Sequence, residues 1–319
     1  MVIIDYFCSE KKDIVMCKKG SILKFHRLTL NSLPLIRPYL QNSNALSCDY
    51  TVGGIYMWID YFKYHYCIYH DTLIIKGVAE DDINRTAFSL PLGKMPLAEA
   101  VEVLRRYCDG EGIALEFSAI TEADMERFRE LNPREVYELK NWCDYLYDAE
   151  KFLTYAGNKM KKKRNHVNQF KNTYKDWSIS AIDEGNIDEV KRFMQDVCNE
   201  KSDKILAEYE RTQTRRVLDD YKVYRDIFDG IALRVAGNIV AIAIGEVQGN
   251  VLFIHIEKTN HEYDGATETL NQTFIEYMRS KCAFGYVNLE EDVGDEGLKS
   301  SKLSYHPEIV LRKYNVIFG

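Results

Sequence analysis

Prolines are few, cysteine pairs are missing, and no long apolar run is free of charge in this chain of 319 residues. Only six prolines interrupt it, and no stretch is of low complexity. The eight cysteines (8, 17, 48, 67, 108, 143, 198, 282) stand singly, without a CxxC pair or zinc-ligand spacing. That excludes a disulfide framework and a zinc site, so no metal is expected, and it favours buried, reduced thiols in a cytoplasmic protein. The most apolar segment, Gly230 to Val247, carries Arg234 and Asn238 and breaks at Ala236-Gly237-Asn238, so it reads as a hairpin and not a transmembrane segment. The first residues, MVIIDYFCSEKKD, have too short an apolar run for a signal peptide. No Ser-His-Asp or Cys-His order, P-loop or dinucleotide fingerprint occurs. With a net charge of −7, any contact with a polyanion must come from a local patch.

The length exceeds what one core usually serves, so two domains are expected. In the first half a hairpin (Tyr64–Tyr69 and Leu73–Val78) precedes a strand at 86–90. A helix from Leu97 to about Cys108, a strand at 113–117 and a helix opened by Thr121-x-x-Asp124 follow. The second half repeats the order. A hairpin (231–235 and 239–247) leads to a strand (251–257), a helix (267–281) and a strand (285–289). Between the halves lie a strand at 141–148, a basic helix, a helix at 186–197 and a charged helical region from about 203 to 228. We therefore expect an α/β (α+β) fold of two similar units, residues 1–145 and 146–319, each a mixed sheet flanked by helices.

Three stretches carry candidate chemistry. The first is the strand-to-helix junction at Asn250–Met278, where Gly265 lies in a six-residue turn and Thr267 is placed to cap the helix. Free backbone N–H groups at such a junction suit a phosphate or carboxylate. The second is the basic helix 159–175, with seven Lys or Arg and no acid before Lys175. Helical spacing puts Met160, Val167, Phe170 and Tyr174 on its buried stripe, with Lys163 inside that stripe and Arg164 and Asn168 along its edge. A lysine there must snorkel outward or meet an anion, and Arg164 with Asn168 could hold a carboxylate or phosphate. The third is the segment 286–307, where Glu290, Glu291, Asp292, Asp295 and Glu296 crowd the end of a strand near Gly294 and Gly297. Such carboxylates suit an amine substrate or general-base work. His306 is expected to be held extended by Pro307. All three stretches should converge on one cavity.

These stretches, together with Asp144-Tyr145-Leu146-Tyr147, Leu233-Arg234-Val235, Ile244-Gly245-Glu246, His255-Ile256-Glu257-Lys258 and Asn288 through Pro307, resemble a bacterial family. That family shares a domain with the C-terminal, catalytic part of phosphatidylglycerol lysyltransferase. The resemblance is strong in the second half and faint in the first. It implies a tandem GNAT-like (acyl-CoA N-acyltransferase) fold, like that of the peptidoglycan aminoacyltransferases that use aminoacyl-tRNA. One departure bears on the donor. Acetyltransferases of this fold carry Arg/Gln-x-x-Gly-x-Gly/Ala at the junction, whereas here Asp264, Thr267 and Thr269 occupy the arginine and glycine places. Side chains there obstruct a pyrophosphate, and a carboxylate repels it.

The expected function is acyl or aminoacyl transfer, with aminoacyl-tRNA as the donor and a coenzyme A thioester as the alternative. A non-catalytic binding protein that keeps the fold is the third possibility. Glu257, Glu291 or Asp292 would orient or deprotonate the acceptor. Lys163, Arg164, Asn168, Lys258, Gly265, Asn288, Lys302, Tyr305 and His306 would bind substrate. The tRNA would lie along the basic helix, and the acceptor would be a small molecule or a lipid headgroup bearing an amine or hydroxyl.

Overall fold

The computed structural model describes residues 23–43, 45–197, 205–222 and 225–319. Cys8, Cys17, Cys198, the start of the charged helical region and Tyr224 lie outside them.

Among the described residues the strands form two mixed sheets, of eight and seven strands. In the first sheet the order is His26–Arg27, His65–Tyr69, Thr72–Ala79, Asp82–Phe88, Glu116–Thr121, Lys313–Ile317, Glu135–Glu138, with Leu92–Gly93 paired beside Thr72–Ala79. The second runs Ile309–Leu311, Asp144–Asp148, Tyr286–Asn288, Val251–Thr259, Asn238–Gln248, Asp229–Val235, Trp177–Ala181. Each sheet holds one parallel pair, and a helix makes each crossover: Leu97–Glu111 between Asp82–Phe88 and Glu116–Thr121, and Ala266–Arg279 between Val251–Thr259 and Tyr286–Asn288. This is the repeated order read from the sequence, since only a crossover can join parallel neighbours.

A cut at residue 145 does not separate the sheets. Strand Asp144–Asp148 lies in the second sheet, and Lys313–Ile317, at the far end of the chain, inserts between Glu116–Thr121 and Glu135–Glu138 of the first. One apolar cluster also spans both. Tyr50, Ile55, Tyr56 and Met57 pack with Val190, Phe193, Val217, Phe228, Ile242 and Ile256. The two units thus share a core, and the residues at their seam are held from both sides.

Several boundaries differ locally. The helix from Leu97 ends at Gly112, which takes the left-handed conformation (φ 68°) that suits glycine, rather than at Gly110. The strand expected at 113–117 is Glu116–Thr121. The 266–279 helix is entered through Gly265 at φ 79°, so Thr267 sits inside the first turn and does not cap it. His306 is not extended but left-handed, at φ 54°.

Candidate functional site

The strongest concentration of chemistry lies at the seam, around Lys313. Its strand, Lys313–Ile317, is buried at every position but Tyr314, so the lysine is held inside the protein. Lys313 is fully buried. Its ammonium lies 2.6 Å from Asp49, 2.6 Å from Asp144 and in a short contact with Glu291. Four parts of the chain meet here: the turn Cys48–Tyr50, strand Asp144–Asp148, the loop after Tyr286–Asn288, and the C-terminal strand. Asp144 is held further by the Cys48 N–H (2.8 Å) and by the Asn288 amide (2.7 Å), which also donates to the Leu46 carbonyl. The Cys48 thiol donates to Glu291 at 3.2 Å.

Cys48, Asp49, Asp144 and Glu291 bring four potential ligand atoms within 4.8 Å of one another. The protein's own ammonium contacts the three carboxylates, as a buried cation must if it is to stay charged. Burial would push the Lys313 amine down, but Asp144 and Asp49 outweigh it and hold the amine well above its usual range. Burial lifts the Glu291 carboxyl to about 8, against the pull of Lys313.

A second buried chain adjoins the first. His255 donates to Glu290 at 2.5 Å and to Glu246 at 2.9 Å, and Glu246 takes the Gly53 N–H at 2.6 Å. Burial opposes charge on His255, yet the two carboxylates raise it to about 10, so it is an imidazolium at neutral pH. Gly53 belongs to the helix Val52–Trp58. A Cβ there would fall 2.4 Å from Phe228, which is why the helix can press onto this network only with glycine. Glu290 itself is left-handed (φ 60°), a turn that brings both Glu290 and Glu291 inward.

The candidate residues separate into three groups. Glu291 and Asn288 belong to the Lys313 cluster. Lys302 supports it, donating to the carbonyls of Leu289 (2.6 Å) and Glu291. Asp292 is buried but engaged by the Tyr145 hydroxyl (2.5 Å) and the Gly294 N–H (2.8 Å), so it holds the loop in shape. Lys258 turns the other way and pairs with Glu210 at 2.8 Å.

A second group surrounds the basic helix, whose observed bounds are Lys161–Thr173. Lys163 meets an anion from within the protein. Its ammonium pairs with Glu268 at 3.2 Å and sits 3.6 Å above the Tyr305 ring. Glu257 lies in the same region; burial lifts it to about 7, opposed mainly by the Asn271 amide and Lys302. Arg164 donates to the carbonyls of Tyr155 and Gly157, closing the end of the helix Ala149–Thr154. Asn168 and His306 are exposed, away from these contacts.

Gly265 forms the third. It packs directly beneath the basic helix, where a Cβ would meet the His166 carbonyl oxygen at 2.3 Å. Lys163, Gly265 and Glu291 were expected to face one hollow, but each is engaged from within the protein. Glu268, His166 and Lys313 respectively use up the groups that would have faced it. A relay of contacts does connect the first and last of them: Lys163 to Tyr305, Tyr305 to Tyr147 (rings 6.2 Å apart), the Tyr147 hydroxyl to the Lys302 carbonyl, and Lys302 to Glu291.

Sequence reasoning did not single out Lys313, Cys48 or Asp49 as site residues. The inward phase of Lys313 and Asn315 between apolar residues was the available signal. Nothing local marks Cys48 and Asp49.

With this geometry in hand, comparison with known proteins is decisive for family. Residues 41–317 match the family described as "Phosphatidylglycerol lysyltransferase, C-terminal". The chain belongs to that family. It is a transferase family, and the architecture seen here is a mixed α+β one built on two mixed sheets. A conserved protein of unknown function from Bacteroides thetaiotaomicron superposes with a TM-score of 0.83 at 25% identity, covering 93% of this chain and 100% of the other. L-PGS from Bacillus licheniformis matches in fold (TM-score 0.63, 13% identity, 95% of this chain and 94% of that one). An uncharacterized protein of Mycoplasmoides gallisepticum is 27% identical over 178 residues, 54% of this chain, and the match spans about half (55%) of that relative. Among the described residues no helix is long and apolar enough to cross a membrane.

Proposed function

We propose that this protein transfers an aminoacyl group from aminoacyl-tRNA to an amine or hydroxyl acceptor at the Lys313 cluster. The acceptor would be a small molecule or a lipid headgroup. The observation that carries the reading is the seam itself, where Glu291 is held beside a buried ammonium in a chain of the lysyltransferase family. Asp49 and Glu291 keep partly open side chains, whereas Asp144 and Lys313 are closed off. Lys313 thus positions the two carboxylates that a substrate can reach. The acceptor nitrogen or oxygen attacks the ester carbonyl, and its bond to the carbonyl carbon forms as the bond to the ribose oxygen breaks. Glu291 receives the acceptor's proton and returns it to the departing ribose oxygen, which leaves as a hydroxyl. A carboxyl at about 8 is tuned near neutrality, where proton transfer is most effective. The ester is already activated, so positioning supplies most of the rest.

The donor is supported by the basic helix. Lys159, Lys161 and Lys162 are exposed and have no acidic partner among the described residues, which leaves them available to phosphates. Coenzyme A is disfavoured by the closure of the junction, since Gly265 is covered by the His166 carbonyl. The test is tRNA binding by fluorescence anisotropy between about 50 and 200 mM salt, where phosphate contacts give a steep loss of affinity. Lys161→Glu with Lys162→Glu should abolish binding. Salt-independent binding, or saturable micromolar binding of coenzyme A in its place, would overturn the proposal.

A further inference from the structure

Beside Glu291 the seam opens into a small cleft with room of about 30 Å³, enough for a group the size of an ammonium or methylammonium head and too little for a whole amino acid. Its walls are aromatic: Trp58, Phe62, Tyr64 and Trp142. Phe62 stacks against Tyr64 (centroids 5.5 Å) and meets Trp142 edge-on (6.3 Å) and Trp58 at a tilt (6.1 Å). The acids are Glu80, Glu290, Glu291 and Asp49. Three of them are engaged by Lys313 or His255. Glu80 is the exception. It is only 7% exposed, it lines the cleft, and its carboxyl has no hydrogen-bond or ion-pair partner among the described residues.

A buried carboxyl without a partner is costly in the empty protein and becomes favourable when a cation arrives. Aromatic faces around it provide the second half of ammonium recognition, through their quadrupoles. Anions are opposed by the surrounding acids, and a neutral apolar head would leave Glu80 unsatisfied. We infer that this cleft is an alkylammonium site, with Glu80 as the ion-pair partner and Trp58, Phe62 and Trp142 as the cage. It places a positively charged head next to Glu291. The ammonium could belong to the side chain of the transferred aminoacyl group or to an amine acceptor, and only that assignment rests on the transferase reading above.

Isothermal titration calorimetry on the full chain tests this with propylammonium, lysine methyl ester and norleucine methyl ester, with n-butanol as the uncharged control. The expected result is saturable binding of at least one ammonium probe, at least about tenfold weaker in Glu80→Gln and in Trp142→Leu, and no binding of butanol. Thermal melts of both variants report whether they fold. Lysine ester binding more than tenfold tighter than norleucine ester assigns the cage to the donor's side chain. Propylammonium binding as tightly as lysine ester assigns it to an amine acceptor. No saturable ammonium binding, equal binding of butanol, or unchanged affinity in a folded Glu80→Gln overturns the inference. Ammonium binding without any transfer from aminoacyl-tRNA would sink the function proposed above and leave the cage standing. Transfer without ammonium binding would do the reverse.

Discussion

Lys313 and Asp144, 169 positions apart in the sequence, form a 2.6 Å ion pair in which neither side chain is exposed to solvent. The pair ties the last strand of the first sheet to a strand of the second, and everything proposed for the site depends on it.

Removing the cation should therefore cost more than removing the pair. Lys313→Met leaves Asp144 and its neighbours buried without a counter-charge, and should destabilise by about 3–5 kcal/mol. Lys313→Met with Asp144→Leu should recover a substantial part of that loss. Urea denaturation of the two variants checks it; equal stabilities would show that the pair is not energetically coupled.

The His255 network sets a pH dependence. Its folded pKa, about 10, stands above the unfolded value near 6.5. The associated stability is fully present below about pH 6.5 and is lost as pH rises through 10. Glu291, raised to about 8, acts in the same direction over a lower range. Melting temperature should fall steadily from pH 6.5 to 10, and His255→Gln should flatten the upper part of that slope. A wild-type profile flat across this range would contradict the charge state assigned here.

Arg164 and the exposed lysines of the same helix should behave differently. Arg164 satisfies two carbonyls at the end of the 149–154 helix, so Arg164→Ala should destabilise by about 1–3 kcal/mol. Lys161→Glu with Lys162→Glu should leave the melt within about 1 kcal/mol of wild type while abolishing tRNA binding. Anisotropy and denaturation together separate the two roles.

Gly265→Ala tests how tightly the basic helix covers the strand-to-helix junction. The residue is left-handed, and a Cβ would strike the His166 carbonyl, so a loss of at least about 2 kcal/mol is expected. A neutral substitution would mean that the helix can lift away from the junction.

Much of the fold was legible in the sequence because hairpins, crossover helices and their strands are local patterns of period 2 and 3.6. The Tyr64–Val78 hairpin and the 266–279 helix appear nearly where spacing put them. The return of Lys313–Ile317 to the first sheet was not legible, because strand partners at long range leave no local trace. The site divided along the same line. Glu291 stood out as one acid in a crowd beside glycines, yet what makes it chemically distinct is Lys313, Cys48 and Asp49, which the fold brings from both ends of the described chain. Lys163 was read as a lysine that must either snorkel outward or meet an anion, and it meets one. That the anion would be Glu268, inside the protein, could not be read without the packing of the two helices.

The most direct measurement is single-turnover transfer of a labelled aminoacyl group from charged tRNA to an amine acceptor by wild type and Glu291→Gln. The account predicts that Glu291→Gln binds tRNA as wild type does and melts at no lower temperature, while transfer slows by roughly 100-fold or more. Transfer at the wild-type rate in folded Glu291→Gln would contradict it.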